Sequence, residues 1–149
     1  MLGEMTVEQI DRLLRSEAVG RIGCYADGRV YIVPVTYAYD GSAIYVHSFE
    51  GRKIRMMREN PNVCFEVERI KNLANWQSVI AYGRFEELAG EDAARGMERL
   101  MERFMPHLSD LSVTMLPEHA TTASVPHGSH QAVIYRIAVV EKSGRFEKR

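Results

Sequence analysis

The sequence lacks most of the features that announce a function. Neither of the two best-known glycine-rich phosphate loops occurs, GxGxxG or GxxxxGK[ST], so a nucleotide would have to be held in some other way. No GxSxG elbow precedes any serine, which leaves a Ser/His/Asp triad unsupported. The two cysteines, Cys24 and Cys64, stand in apolar runs and not in a CxxC or other metal-ligand spacing, and they read as reduced, buried small hydrophobes. No apolar run approaches the roughly 18 residues of a membrane span. The opening MLGEMTVEQIDRLL is a charged amphipathic segment and not a signal peptide, so a soluble, cytoplasmic protein without a membrane partner is expected. Charge of one sign is also lacking: 19 basic and 20 acidic side chains give a formal net charge of -1. That balance gives no support to a nucleic-acid-binding surface but leaves room for a local basic pocket.

What is present suffices for one core. A chain of 149 residues, 46% hydrophobic and 26% charged, fits a single globular domain over residues 1–149. Thr6 to Gln9 has the capping-box pattern, and Val7, Ile10, Leu13 and Leu14 recur at helical spacing, so residues 6–16 read as a helix. From Val19 the texture is β: VGRIGCYA, the turn Asp27-Gly28, RVYIVPVTYAY, the turn Asp40-Gly41, then SAIYVHS. Three strands joined by two DG turns predict an antiparallel meander. Pro34 falls in mid-strand, where it would cost a ladder hydrogen bond, and so marks an edge, a bulge or a place facing something other than a strand.

A short helix over residues 51–59 stops at Asn60-Pro61. NVCFEVER and WQSVIAYGRFEEL follow as strands, with IKNLAN as a linker between them. Glu91 and Asp92 open a helix that ends before Pro106. Residues 106–130 are rich in Pro, Ser, Thr and His without a steady period, and QAVIYRIAVVEKSGRFE closes the chain as a strand with a turn at Ser143-Gly144. The sum is a mainly β (α+β) fold, a six-stranded antiparallel barrel or sandwich with peripheral helices.

The chemistry concentrates in HSFEGRK, residues 47–53. Ser48 offers a hydroxyl, Arg52 and Lys53 two cations, and a helix start offers free amides, which together are the components of a phosphate site. The same residues also suit a solvated surface turn. His47 shares a strand face with Tyr45 and is either a packed histidine or a ligand contact. Trp76 beside Gln77 and Ser78 is either core or an aromatic wall. The spacing of His107, His119, His127 and His130 fits no standard zinc pattern, so no metal is expected.

The succession of strand, HS, GRK, helix, NP and strand, followed by WQSV, resembles the FMN-binding split-barrel flavoproteins of the pyridoxamine 5'-phosphate oxidase-like superfamily, most closely the nitroimidazole-resistance-like branch. The resemblance implies a split barrel holding FMN, with His47, Ser48, Arg52 and Lys53 around the flavin phosphate. It also implies that the strand Val33, Pro34, Val35 and Thr36 lies along the isoalloxazine ring, with Gln77 or Ser78 as a further flavin contact. A homodimer with FMN at its interface is implied, acting as an oxidoreductase on a small aromatic or nitro substrate. The C-terminal strand lacks the Trp of true pyridoxamine 5'-phosphate oxidases, which argues against vitamin B6 oxidation, and residues 106–130 become the candidate lid. The alternatives are a split barrel holding haem, a deazaflavin or another ligand without FMN turnover, and a non-catalytic dimer whose basic turn is only wet surface.

Overall fold

The computed structural model describes residues 1–105 and 131–149; the four loop histidines and the proposed lid lie outside them. The chain runs β1 (Leu2–Glu4), α1 (Val7–Ser16), β2 (Val19–Ala26), β3 (Arg29–Thr36), β4 (Ala38–Tyr39), β5 (Ala43–Phe49), α2 (Arg52–Glu59), β6 (Asn62–Asn72), β7 (Asn75–Glu87), α3 (Gly90–Phe104) and β8 (Ala132–Glu147). Among the described residues there are thus eight strands where six were expected. The two additions are short pieces, β1 and β4, that no periodicity could mark.

All pairings are antiparallel, in the order β3-β2-β6-β7-β8-β5-β4, with β1 added to β8. The local chemistry explains where the elements begin. Thr6 accepts from the Gln9 amide at 3.2 Å while the Gln9 side chain accepts from the Thr6 amide at 2.8 Å, so the capping box of α1 is closed at both ends. Asp27 and Gly28 both take positive φ, 53° and 72°, as a tight right-twisted hairpin between β2 and β3 requires.

Three expectations are corrected. The meander is incomplete: β3 pairs with β2 over its whole length, but only the Ala38–Tyr39 end of that run pairs with β5. The chain bends at Tyr37, which is fully buried, donates its hydroxyl to the Leu14 carbonyl at 2.7 Å and its amide to the Ala18 carbonyl at 3.1 Å. IKNLAN is no linker, since β6 and β7 form one long hairpin that turns at Leu73-Ala74. Ser143-Gly144 is no turn either; β8 runs on through it. Its glycine is needed because Met5 and Ile10 pack there, at 2.8 and 3.0 Å from where a Cβ would stand.

The run from Arg29 to Tyr39 therefore begins on one edge of the sheet and finishes on the other, bringing the two edges together without full closure. Strands β3 and β5 approach within 8 Å between Cα atoms yet do not pair, and this gap makes the barrel split. Pro34 sits on the β3 edge, as its missing N–H demands. The interior is filled by Ile22, Phe65, Val67, Val79, Ile44 and Ile137, closed at its ends by Leu13 and Leu14 of α1 and by Ile54 and Met57 of α2. A smaller cluster of Tyr45, Leu100 and Phe104 seats α3 on the outside of β5. None of the described helices is long and apolar enough to cross a membrane.

Candidate functional site

Helix α2 differs from its neighbours at its first turn. Helix α1 begins with a side-chain cap and α3 with Glu91 and Asp92, whereas α2 starts from Gly51 with no side-chain cap and no acidic residue. Among the described residues the amides of its first turn have no side-chain cap, and Arg52 and Lys53 add two cations to the positive end of the dipole. Charge is concentrated where an ordinary helix would neutralise it.

The helix lies against β2, which sets where those cations go. The Arg52 guanidinium stands over the Tyr31 ring, 5.5 Å from its centroid, so it is held at the β3 edge. Lys53 is half-buried; burial pushes its ammonium below the ordinary lysine value, opposed by a smaller influence from Cys24. A cation that is costly to desolvate alone is stabilised by an incoming anion. Cys24 is buried with its thiol pushed up by burial, Cys64 is half-buried, and both are free thiols.

Alternation along β5 sends His47 and Ser48 to opposite faces. Ser48 is turned into the barrel, 6% exposed, with its hydroxyl 3.3 Å from that of Tyr135. Burial pushes the Tyr135 phenol far above its ordinary value, so it is protonated at neutral pH and can donate to Ser48. His47 stands edge-on to Phe49, with ring centroids 6.1 Å apart. On β3, Val33 and Val35 face the core, while Pro34 is on the exposed side. Tyr31 and Tyr135 are additions that sequence reasoning missed. Tyr31 could have been found by counting back one alternation from Val33, but the pairing of Tyr135 with Ser48 crosses 87 residues and leaves no local trace.

Gln77 and Ser78 are not brought to this place within one chain. Tyr82 is level with Cys64 and Gly23 in the ladder, near the α2 end, and Gln77 lies five residues further along β7, about 17 Å away at ~3.4 Å per residue. Ser78 donates to Glu66 at 3.1 Å, and the Glu66 carboxyl is raised by burial and by the adjacent Glu68. Gln77 opens on a groove of about 510 Å³ with Gln9, Arg69, Lys71 and Phe146, and Ser78 on one of about 620 Å³ with Met5, Ile10, Lys142 and Arg145. Trp76, half-buried, walls both grooves. Among the described residues no three His, Cys, Asp or Glu side chains are placed to hold a metal.

An open antiparallel barrel with an uncapped, cationic helix start at its β3 edge defines a split-barrel protein. Residues 6–146 match the family described as pyridoxamine 5'-phosphate oxidase, and the chain belongs to that family. It is 28% identical to a FAD-binding protein from Mesorhizobium loti, covering 100% of this chain and 98% of that one at a TM-score of 0.71. It shares its fold, at 16% identity, with a putative 5-nitroimidazole antibiotic resistance protein from Bacteroides thetaiotaomicron, covering 98% and 87% of the two chains at a TM-score of 0.71. An uncharacterized protein of Rhizobium meliloti is 36% identical over 84 residues, a match that spans 56% of each chain.

Proposed function

We propose that the chain is a homodimeric, FMN-dependent oxidoreductase that reduces a small aromatic or nitro compound. The observation that carries the flavin is the start of α2: first-turn amides without a side-chain cap, no acidic residue within that turn, Arg52 fixed on Tyr31 and Lys53 half-buried at the same turn. These groups fit a phosphate monoester. The Mesorhizobium loti relative, described as FAD-binding, supports a flavin, and the Bacteroides thetaiotaomicron structure, described as a nitroimidazole resistance protein, supports the substrate class.

A bound flavin supplies the electron and hydride transfer, and the protein supplies its position and electrostatics. Arg52, Lys53 and the α2 amides hold the phosphate. With Tyr135 as the donor of its hydrogen bond to Ser48, the Ser48 proton is free for a phosphate oxygen. The unpaired edge of β3 from Val33 to Thr36 offers main-chain groups to the ring, and Pro34 keeps that edge from taking a further strand. His47 lies on the outer side of the same strand end as a wall of the pocket.

Gln77 and Ser78 reach the flavin from the second subunit, which explains why one chain keeps them so far from α2. The sheet offers a surface for that subunit. Val30 and Ile32 are 66% and 65% exposed on one face of β3, Tyr25 and Tyr82 extend that face across β2 and β7 at the level of Gly23 and Cys64, and Ile80 lies beyond the Arg21–Glu66 ion pair. The protein as purified should be yellow, and Arg52→Ala with Lys53→Ala should remove the colour while leaving the fold intact by circular dichroism. Full flavin occupancy in that double variant contradicts the proposal.

A further inference from the structure

Glu50 is an anion set directly before the site proposed for an anion. It precedes Gly51, the residue that opens α2, so in sequence it adjoins the first-turn amides and Arg52 and Lys53. The positive groups that attract a phosphate attract a carboxylate as well. The helix itself prevents this. Arg58, in the last turn of α2, grips Glu50 with both terminal guanidinium nitrogens, Nη1 to Oε2 at 3.0 Å and Nη2 to Oε1 at 2.6 Å. On its other side Arg58 is anchored to Glu87 at the end of β7, through Nε at 3.0 Å and Nη2 at 2.5 Å. The Glu50 main chain is fixed too, its amide donating to the Gln131 carbonyl at 2.9 Å.

We propose that Arg58 is a positioning residue that holds Glu50 away from the start of α2, removing a built-in competitor for the phosphate. This rests on the anion-site reading above. The pair is poorly explained as a stabilising salt bridge, because Arg58 is 41% and Glu50 29% exposed and such pairs contribute little. One guanidinium fork spans both carboxylates, a geometry a lysine ammonium cannot copy. The hydrogen bond from Arg58 holds the Glu50 carboxyl below the usual glutamate range, so Glu50 is charged at neutral pH.

The test compares FMN with riboflavin, which differ only by the phosphate, in fluorescence titrations of the full chain at low salt. The wild type should prefer FMN. Arg58→Gln should weaken FMN about tenfold while leaving riboflavin unchanged, the size expected for a carboxylate entering a helix N-terminus. Glu50→Gln in the Arg58→Gln background should return FMN affinity to the wild-type value, and Arg58→Lys should restore it only in part. Equal loss of FMN and riboflavin, or a loss that persists in the double variant, overturns the role of Arg58. Should Arg58→Gln fail to fold, Glu50→Gln alone decides: FMN binding at least as tight as wild type supports the role, and weaker binding overturns it. A wild type that binds FMN no better than riboflavin brings down the anion site itself, and the proposal with it.

Discussion

Asp11, Lys142 and Tyr39 form a polar knot between α1, β8 and β4. Lys142 donates to Asp11 at 2.7 Å and to Tyr39 at 3.0 Å, and Tyr39 donates to Asp11 at 2.8 Å. Burial raises the Asp11 carboxyl, but the hydrogen bonds and charges of its neighbours outweigh it and leave it below 3.8. Burial likewise lowers Lys142, and Asp11 and Tyr39 carry it above 10.5. The Asp11 contribution is therefore full above its unfolded value and lost as pH falls through the folded one, while that of Lys142 is lost only as pH rises through its own raised value. Asp11→Asn should lower the melting temperature at neutral pH and flatten its decline below about pH 4, measured by thermal melts across pH. A second residue-scale prediction concerns Gly20, where a Cβ would stand 2.1 Å from the fully buried Phe65 ring. Gly20→Ala should cost about 1–3 kcal/mol in chemical denaturation through overpacking. These two sites mark what was legible at this scale. The types of Arg52, Lys53 and Ser48 could be read from seven residues of sequence, but the burial of Ser48 against Tyr135 and the clash at Gly20 arise from strands far apart in the chain.

Elements were most legible where their ends carry their own chemistry. The Thr6 box and the Asp27-Gly28 turn each determine a boundary from within four residues, and the structure places both where the sequence predicts. Thr6→Ala should destabilise the protein by about 1 kcal/mol in equilibrium unfolding, since it leaves first-turn amides of α1 without their acceptor. Element ends that depend on a distant partner were misread. Asn72 to Asn75 lacks a typical hairpin dipeptide, yet the long β6–β7 ladder closes it, helped by the Asn72 side-chain Oδ1 accepting from the Ala74 amide at 2.9 Å. Ser143-Gly144 has the composition of a turn, but its glycine answers to Met5 and Ile10 across the core. The division of residues 29–39 between β3 and β4 likewise follows from Tyr37 reaching α1, which no strand periodicity encodes.

At the scale of the molecule, the gap between β3 and β5 and the exposed apolar face of β3, β2 and β7 are the features from which the functional proposal is built. Composition and strand patterning led to an antiparallel barrel or sandwich, but the order of the strands depended on which edges meet, and only a family resemblance pointed to a split barrel. If two chains meet on that face, the particle in light scattering should have twice the chain mass of 17.0 kDa. Ile32→Lys, which leaves the interior untouched, should then give a monomer with reduced flavin occupancy, because Gln77 and Ser78 of the second chain are lost from the site. The central claim is that the start of α2 holds a flavin phosphate. It is tested most directly by the absorption spectrum of purified protein, recorded before and after FMN addition, in the wild type and in the Arg52→Ala, Lys53→Ala double variant. A flavin spectrum at one FMN per chain in the wild type, lost in the folded double variant, is the expected result. Equal flavin content in both proteins, or a Soret band in place of the flavin spectrum, would contradict it.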